Sequence, residues 1–69
     1  MSLMLFLDFM ETIGLFHKKG YVTLEDLDEL CGSSIRFFYE IFIDYINHAR
    51  QQNGDNKFCR DFETLARML

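Results

Sequence analysis

The sequence contains no proline or tryptophan, and its 69 residues include only four glycines and two cysteines. Proline and glycine interrupt helices and shape turns, so their scarcity favours helices with short connections over a sandwich of many strands. Cys31 and Cys59 are too few and too far apart for a disulfide framework or a paired metal knuckle. We therefore expect a helical protein in a reducing cytoplasm.

Basic residues are also scarce: seven lysines and arginines face eleven aspartates and glutamates, which gives a net charge of −4. Proteins that bind duplex DNA normally present a basic face to the phosphates, and here the longest basic run is Lys18-Lys19. The apolar run from Leu3 to Leu7 ends at Asp8 and is too short to span a bilayer. We expect no nucleic-acid partner, and a membrane only through a missing segment of a longer parent.

Large apolar side chains, by contrast, are abundant: 49% of the residues are hydrophobic and eight are phenylalanine. A chain of this length buries only roughly 60% of the surface that it exposes when unfolded. The sequence therefore offers more apolar surface than so small a monomer can easily hide. Residues 1–69 are predicted to form a single helical domain, complete or a fragment of a longer parent, that associates with itself or with another protein.

Apolar side chains at spacings of three and four predict an all-α fold, a small bundle of four helices of which the second is short. The predicted helices cover residues 3–19, 24–31, about 33–52 and 57–69. Gly20 is expected to end the first helix and Thr23 to cap the second. Gly32 is expected to end the second helix, with Ser33 or Ser34 as the cap of the third.

The apolar faces of these helices supply the predicted core. Its residues are Phe6, Met10, Ile13, Leu27, Leu30, Phe38, Phe42, Ile46, Phe62 and Leu65. The apolar arc of the first helix is wider than one neighbouring helix can cover, so part of it should face another chain. Leu5 and Phe9 are the predicted interaction residues of a homodimer.

Reactive side chains form no convincing site. Glu40, Asp44 and His48 follow one helix face, but a metal site needs further protein ligands that the sequence does not supply at a matching spacing. Cys31 could act as a nucleophile only if the fold brought His17 or His48 to it, and its apolar position favours a structural role. We predict no catalytic, cofactor-binding or metal-binding residue and no enzymatic activity.

A DNA-binding alternative comes from residues 23–42, which are similar to the helix-turn-helix of bacterial TetR-type repressors. A short helix, the turn at Gly32, the capping Ser34 and a second helix follow in the required order. However, Asp28 occupies the position where the motif needs a small residue. The second helix also opens with Ile35-Arg36-Phe37-Phe38 instead of polar and basic side chains. A degenerate DNA-binding domain is therefore the alternative function.

Short motifs along nearly the whole chain carry a second resemblance: Phe9-Met10-Glu11, Gly14-Leu15-Phe16 leading to Gly20-Tyr21, Gly32, Arg50, and Asp61-Phe62-Glu63-x-Leu65. On these motifs the chain resembles an uncharacterised bacterial family of small helical domains. The family defines no catalytic residue that could be carried over. Its domain often follows a membrane helix and a charged linker, so the resemblance implies that this domain could be the cytoplasmic part of a membrane-anchored parent.

Arg50 and Glu63 are predicted to form a structural latch. Arg50 lies at the end of the third predicted helix, where a cation suits the free carbonyls, and Glu63 lies within the first two turns of the last helix. A polar turn of about seven residues separates the two helices, and we expect the side chains to approach within about 4 Å. The sequence as a whole thus predicts an interaction or oligomerisation module that needs no cofactor.

Overall fold

The computed structural model describes residues 2–69, which form three helices and no strand. The helices are α1 (Leu3–Lys18), α2 (Leu24–Asn53) and α3 (Arg60–Met68). The predicted all-α class is confirmed, whereas the predicted number of four helices is wrong. None of these helices combines the length and the apolar character that crossing a membrane requires.

The missing boundary lies inside α2. The backbone departs from helical geometry at Cys31, with φ −159° and ψ 20°, and the helix is kinked there, but it continues to Asn53. Gly32 does not adopt the left-handed conformation that ends a helix, whereas Gly20 (φ 81°) and Gly54 (φ 63°) do. Gly32 is instead buried in the kinked helix, where a Cβ atom would meet the carboxylate of Asp28. The chain therefore bends at Cys31, directly before this glycine, and the helix continues beyond it.

The other helix ends follow local chemistry. Ser2 Oγ accepts from the Leu5 amide at 3.1 Å and begins α1, and the left-handed Gly20 follows its last turn. Thr23 Oγ1 accepts from the Asp26 amide, also at 3.1 Å, and begins α2. The predicted roles of Gly20 and Thr23 are confirmed. The last helix begins at Arg60, later than predicted, because Cys59 before it has a positive φ of 58°.

The core lies where α3 packs against α1 and α2. Its largest fully buried side chains are Leu7, Ile35, Ile46, Phe62 and Leu65. Among the predicted core residues, five are buried (Met10, Leu27, Ile46, Phe62 and Leu65) and four are half-buried at the edge (Phe6, Ile13, Phe38 and Phe42). The prediction for Leu30 is wrong, since its side chain is 82% exposed. Leu30 directly precedes the kink at Cys31, which interrupts the helical period on which the prediction rested.

Candidate functional site

The structure brings Arg50 and Glu63 together across the turn between α2 and α3. Arg50 Nη1 lies 3.5 Å from Glu63 Oε2, inside the 4 Å that the sequence predicts. Arg50 Nε also donates a hydrogen bond of 2.8 Å to the Phe58 carbonyl, which lies in the turn itself. Both side chains are largely shielded from water, at 13% and 20% exposure. One arginine thus connects the end of α2, the turn and the first half of α3.

Tyr39 is a member of this network that sequence reasoning missed. Its hydroxyl donates a hydrogen bond of 2.6 Å to Glu63 Oε2, and its ring packs edge to face on Phe62 with centroids 5.4 Å apart. Burial, followed by the hydrogen bond to Glu63, raises the pKa of Tyr39 to about 12. The hydrogen bond from Tyr39, followed by the contact with Arg50, lowers the pKa of Glu63 from its ordinary value. Glu63 is therefore an ionised acceptor at neutral pH, and Tyr39 is a donor.

A second polar contact holds the beginning of α3. Glu11 of α1 accepts hydrogen bonds from the amides of Asp61 at 3.2 Å and Phe62 at 2.8 Å. These amides belong to the first turn of α3, whose own N-cap residue, Cys59, supplies no side-chain hydrogen bond. A carboxylate also suits the positive end of a helix. Glu11 therefore caps α3 from a different helix.

Gly14 makes this contact possible. It lies one turn after Glu11 on α1 and is buried. A Cβ atom at this position would meet the carbonyl oxygen of Asp61 and come within 3.0 Å of the Phe62 amide nitrogen. Backbone atoms of a capped helix turn cannot move aside as a flexible side chain can. Gly14 thus allows α1 and α3 to approach closely enough for Glu11 to reach its two amides.

These polar groups hold the helices together, and none of them is an activated nucleophile. Burial raises the pKa of the Cys59 thiol to about 11, so it stays protonated at neutral pH. Glu40, one of the sequence candidates for a metal ligand, forms an exposed pair with Arg36 at 3.3 Å. Over residues 2–69 no group of three or more His, Cys, Asp or Glu side chains is placed to hold a metal ion.

The sequence candidates for interaction, Leu5 and Phe9, both lie on the surface with 61% of their area exposed. Together with Phe16, which is also exposed, they form what we name the outer stripe of α1. Spacings of four and seven residues place the three side chains on one side of the helix. On the opposite side lie the buried residues of α1, which are Leu7, Met10 and Gly14.

A second exposed apolar surface involves α2 and the first turns of α1. We name it the aromatic patch; it comprises Phe6, Phe37, Phe38, Ile41, Phe42 and Tyr45. Phe37, Ile41 and Tyr45 are exposed, whereas the other three side chains are half-buried. Phe37 and Ile41 lie in the segment that the DNA-binding alternative assigns to a recognition helix. The one basic side chain of this segment after the kink, Arg36, is paired with Glu40, and these two apolar side chains are exposed beside it, so the geometry does not support that alternative.

Comparison with known proteins places the chain in a family. The family model described as a domain of unknown function (DUF4760) matches residues 1–69, and the chain belongs to this family. The predicted resemblance to an uncharacterised family of small domains is confirmed. No curated protein and no solved structure matches the chain significantly. Membership of this family therefore indicates no activity, ligand or partner for the chain.

Proposed function

Since the chain belongs to a family without an assigned activity, we propose its function from its surface: it is an interaction module that forms a homodimer through the outer stripe of α1. The observation that carries the proposal is that α1 is apolar on two opposite sides. Leu7 and Met10 are buried against the core, while Leu5 and Phe9 project away from it. The outer side of a surface helix in a monomer is normally polar.

The polar residue within the stripe does not oppose burial. Thr12 lies between Phe9 and Phe16, and its hydroxyl donates a hydrogen bond of 2.8 Å to the Asp8 carbonyl. Because the Thr12 hydroxyl already donates to a carbonyl of its own helix, it keeps this hydrogen bond when a partner covers it. In a twofold-symmetric antiparallel pair of α1 helices, Leu5 of each copy would face Phe16 of the other, with Phe9 and Thr12 near the axis.

The size of the stripe limits the affinity. Each of its three large side chains exposes on the order of 100 Å², so the stripe offers about 300 Å² per copy. A typical specific interface buries about 800 Å² per partner. We therefore expect a reversible dimer that dissociates in the micromolar range or above, and not an obligate one.

Sedimentation of the wild type and two variants tests the proposal. Leu5→Glu places a charge in the stripe and should shift the protein to monomer. Leu30→Glu adds the same charge at an exposed leucine on α2, outside the stripe, and should leave the association unchanged. A wild type that remains monomeric at 1 mM would reject the homodimer, and equal effects of the two variants would reject the outer stripe as its contact.

A further inference from the structure

Beyond the dimer contact, we propose that the aromatic patch is a docking site for a basic amphipathic helix of another protein. The proposal uses side chains outside the outer stripe of α1, so it does not depend on whether the chain dimerises there. It rests on three features: a regular row of exposed apolar side chains, a recess beside this row, and the negative charge of α2.

The exposed row consists of Phe37, Ile41 and Tyr45. Their spacing of four residues places them along one side of α2 over about 12 Å. A partner helix whose apolar side chains recur every three or four residues has the matching repeat. Tyr45 is anchored at the far end of the row, where its hydroxyl lies 3.8 Å from the sulfur of Met4. This contact connects the end of the row to α1.

A shallow, open recess of about 350 Å³ lies beside the row, between α2 and the beginning of α1. Phe6 joins its two walls, because its ring lies 5.1 Å from that of Phe38 and 5.6 Å from that of Phe42, measured between centroids. Phe38 in turn meets Phe37 edge to face at 5.7 Å, which connects the recess to the row. A recess of this kind accepts a large apolar anchor from a partner, the usual centre of binding energy in such contacts.

The negative charge of α2 indicates the charge that a partner helix should carry. The helix carries six acidic residues, all exposed: Glu25, Asp26, Asp28, Glu29, Glu40 and Asp44. Against them stand two arginines, so the net charge of α2 is −4, as large as that of the whole chain. The first four of these acids lie before the kink in α2, and the last two lie after it. Arg50 is shielded beside Glu63, and Arg36 is paired with Glu40. Neither arginine therefore neutralises Asp44.

Two of these acids flank the exposed row. Glu40 and Asp44 lie three residues after Phe37 and Ile41, respectively, and are neighbours of the row on the helix surface. Arg36 lies on the same edge and pairs with Glu40, so the carboxylate left for a partner is that of Asp44, in a domain of net charge −4. A basic side chain beside the apolar face of a partner helix would meet this carboxylate, which accelerates association and orients the helix. An acidic helix of the same apolar pattern would be repelled, as would nucleic acid and anionic lipid. Charge complementarity therefore identifies the occupant as a basic segment.

The test uses the full chain and two labelled synthetic peptides of 18 residues that share one apolar face of leucines. In one peptide all polar positions are lysine, and in the other they are glutamate. Fluorescence anisotropy should show the lysine peptide binding at least about tenfold more tightly at low salt, with the preference shrinking as salt is added. Equal binding of the two peptides, or no binding of the lysine peptide, would overturn the proposal.

Variants separate docking on the patch from general attraction between opposite charges. Ile41→Ser should weaken the lysine peptide about fivefold or more, because it removes apolar contact area without changing the charge. Met68→Ser, at an exposed methionine near His17 at the other end of α1, should leave binding unchanged. Asp44→Asn should weaken the lysine peptide only. Equal affinities for Ile41→Ser and Met68→Ser would overturn the proposal, as would loss of self-association in Ile41→Ser but not in Leu5→Glu.

Discussion

Two regions of this small domain contrast in how they are held. The contacts of α3 with its neighbours are specific: Glu11 and Gly14 form the contact with α1, and the network around Glu63 forms the contact with α2. Among the residues that the structure describes, every buried side-chain polar atom except Arg50 Nη2 has a hydrogen-bond partner. The outer stripe of α1 and the aromatic patch expose large apolar side chains to water. A helix of nine residues such as α3 is unstable alone, so its position depends on these specific contacts.

The difference indicates where the free energy of the fold lies and where surface remains available for binding. Glu11, Tyr39 and Arg50 should be sensitive to small chemical changes, because each of them hydrogen-bonds a group that is partly or largely shielded from water. The fully outward residues of the two exposed apolar surfaces, such as Leu5 and Ile41, should tolerate polar substitution in the monomer, because most of their side-chain surface already faces water. We therefore expect substitutions around α3 to lower the stability of the fold. Polar substitutions on the exposed apolar surfaces should instead weaken association.

The largest effect is expected at Phe62, which is fully buried between the helices. Phe62→Ala should lower the free energy of unfolding by about 3 to 5 kcal/mol, enough to unfold much of a domain this small. Phe42→Ala, at a half-buried ring of the aromatic patch, should cost clearly less. Thermal unfolding followed by circular dichroism measures both, and equal losses would show that the patch is as essential to the fold as the core.

A smaller loss of stability is expected for a substitution at Gly14, where α1 lies against the backbone of α3. Gly14→Ala adds one methyl group against the backbone of Asp61 and should destabilise the protein by about 1 to 3 kcal/mol, although alanine favours helix. Thr12→Ala, on the outer side of the same helix, provides the matched control and should cause no loss. If urea unfolding shows Gly14→Ala to be as stable as the control, the two helices are not tightly held at this point.

The cap on α3 should contribute about 1 kcal/mol. Glu11→Gln keeps the shape of the side chain but removes the charge and one of the two acceptor oxygens that meet Asp61 and Phe62. Asp8→Asn makes the same charge change at an exposed position on α1. Hydrogen exchange should accelerate at the Asp61 and Phe62 amides in Glu11→Gln only, and an unchanged exchange rate there would contradict the capping role.

Acid should weaken the network around Glu63. The pKa of this carboxyl is lower in the folded protein than in the unfolded chain, so its stabilising contribution is complete above the ordinary glutamate value, near 4.3. The contribution is lost as the pH falls through the lowered folded value. The stability of Glu63→Gln should therefore vary less with pH than that of the wild type below about pH 5. Parallel curves for the two proteins would show that Glu63 has no folding-dependent pKa.

The smallest effect on stability is expected in the outer stripe of α1. Leu5→Ser should change the free energy of unfolding by less than about 0.5 kcal/mol at concentrations where the protein is monomeric. A large loss in denaturant unfolding at low concentration would show that Leu5 supports the fold of the monomer, and the contrast between the two regions would fail.

Sequence reasoning succeeded where the determinants are local. The end of α1 and the beginning of α2 depend on Gly20 and Thr23, which act on amides and carbonyls a few residues away. Gly32 looks equivalent to Gly20 in sequence, but it is not among the glycines with a positive φ, and the non-helical residue at the kink is Cys31. The missing boundary and the exposed Leu30 both lie at this kink, which the hydrophobic period of the sequence does not reveal.

The polar contacts also differ in whether the sequence could predict them. Arg50 and Glu63 could be paired from sequence because a short turn brings the ends of their helices together. Glu11 is separated by fifty residues from the Asp61 amide that it caps, and no local pattern marks such a contact. Tyr39 did offer a signal: it lies in an apolar row of α2, and a buried tyrosine hydroxyl normally requires a hydrogen-bond partner.

The proposed dimer is tested most directly by a concentration series of amide spectra of the wild-type protein in solution. Between about 10 µM and 1 mM, we predict shifts that depend on concentration at Leu5, Phe9, Thr12 and Phe16, with the amides of α3 unchanged. Over the same range the average mass should rise from 8.3 kDa towards twice that value. A constant mass, or concentration-dependent shifts in α3 or α2 but not in the outer stripe of α1, would contradict the homodimer proposed here.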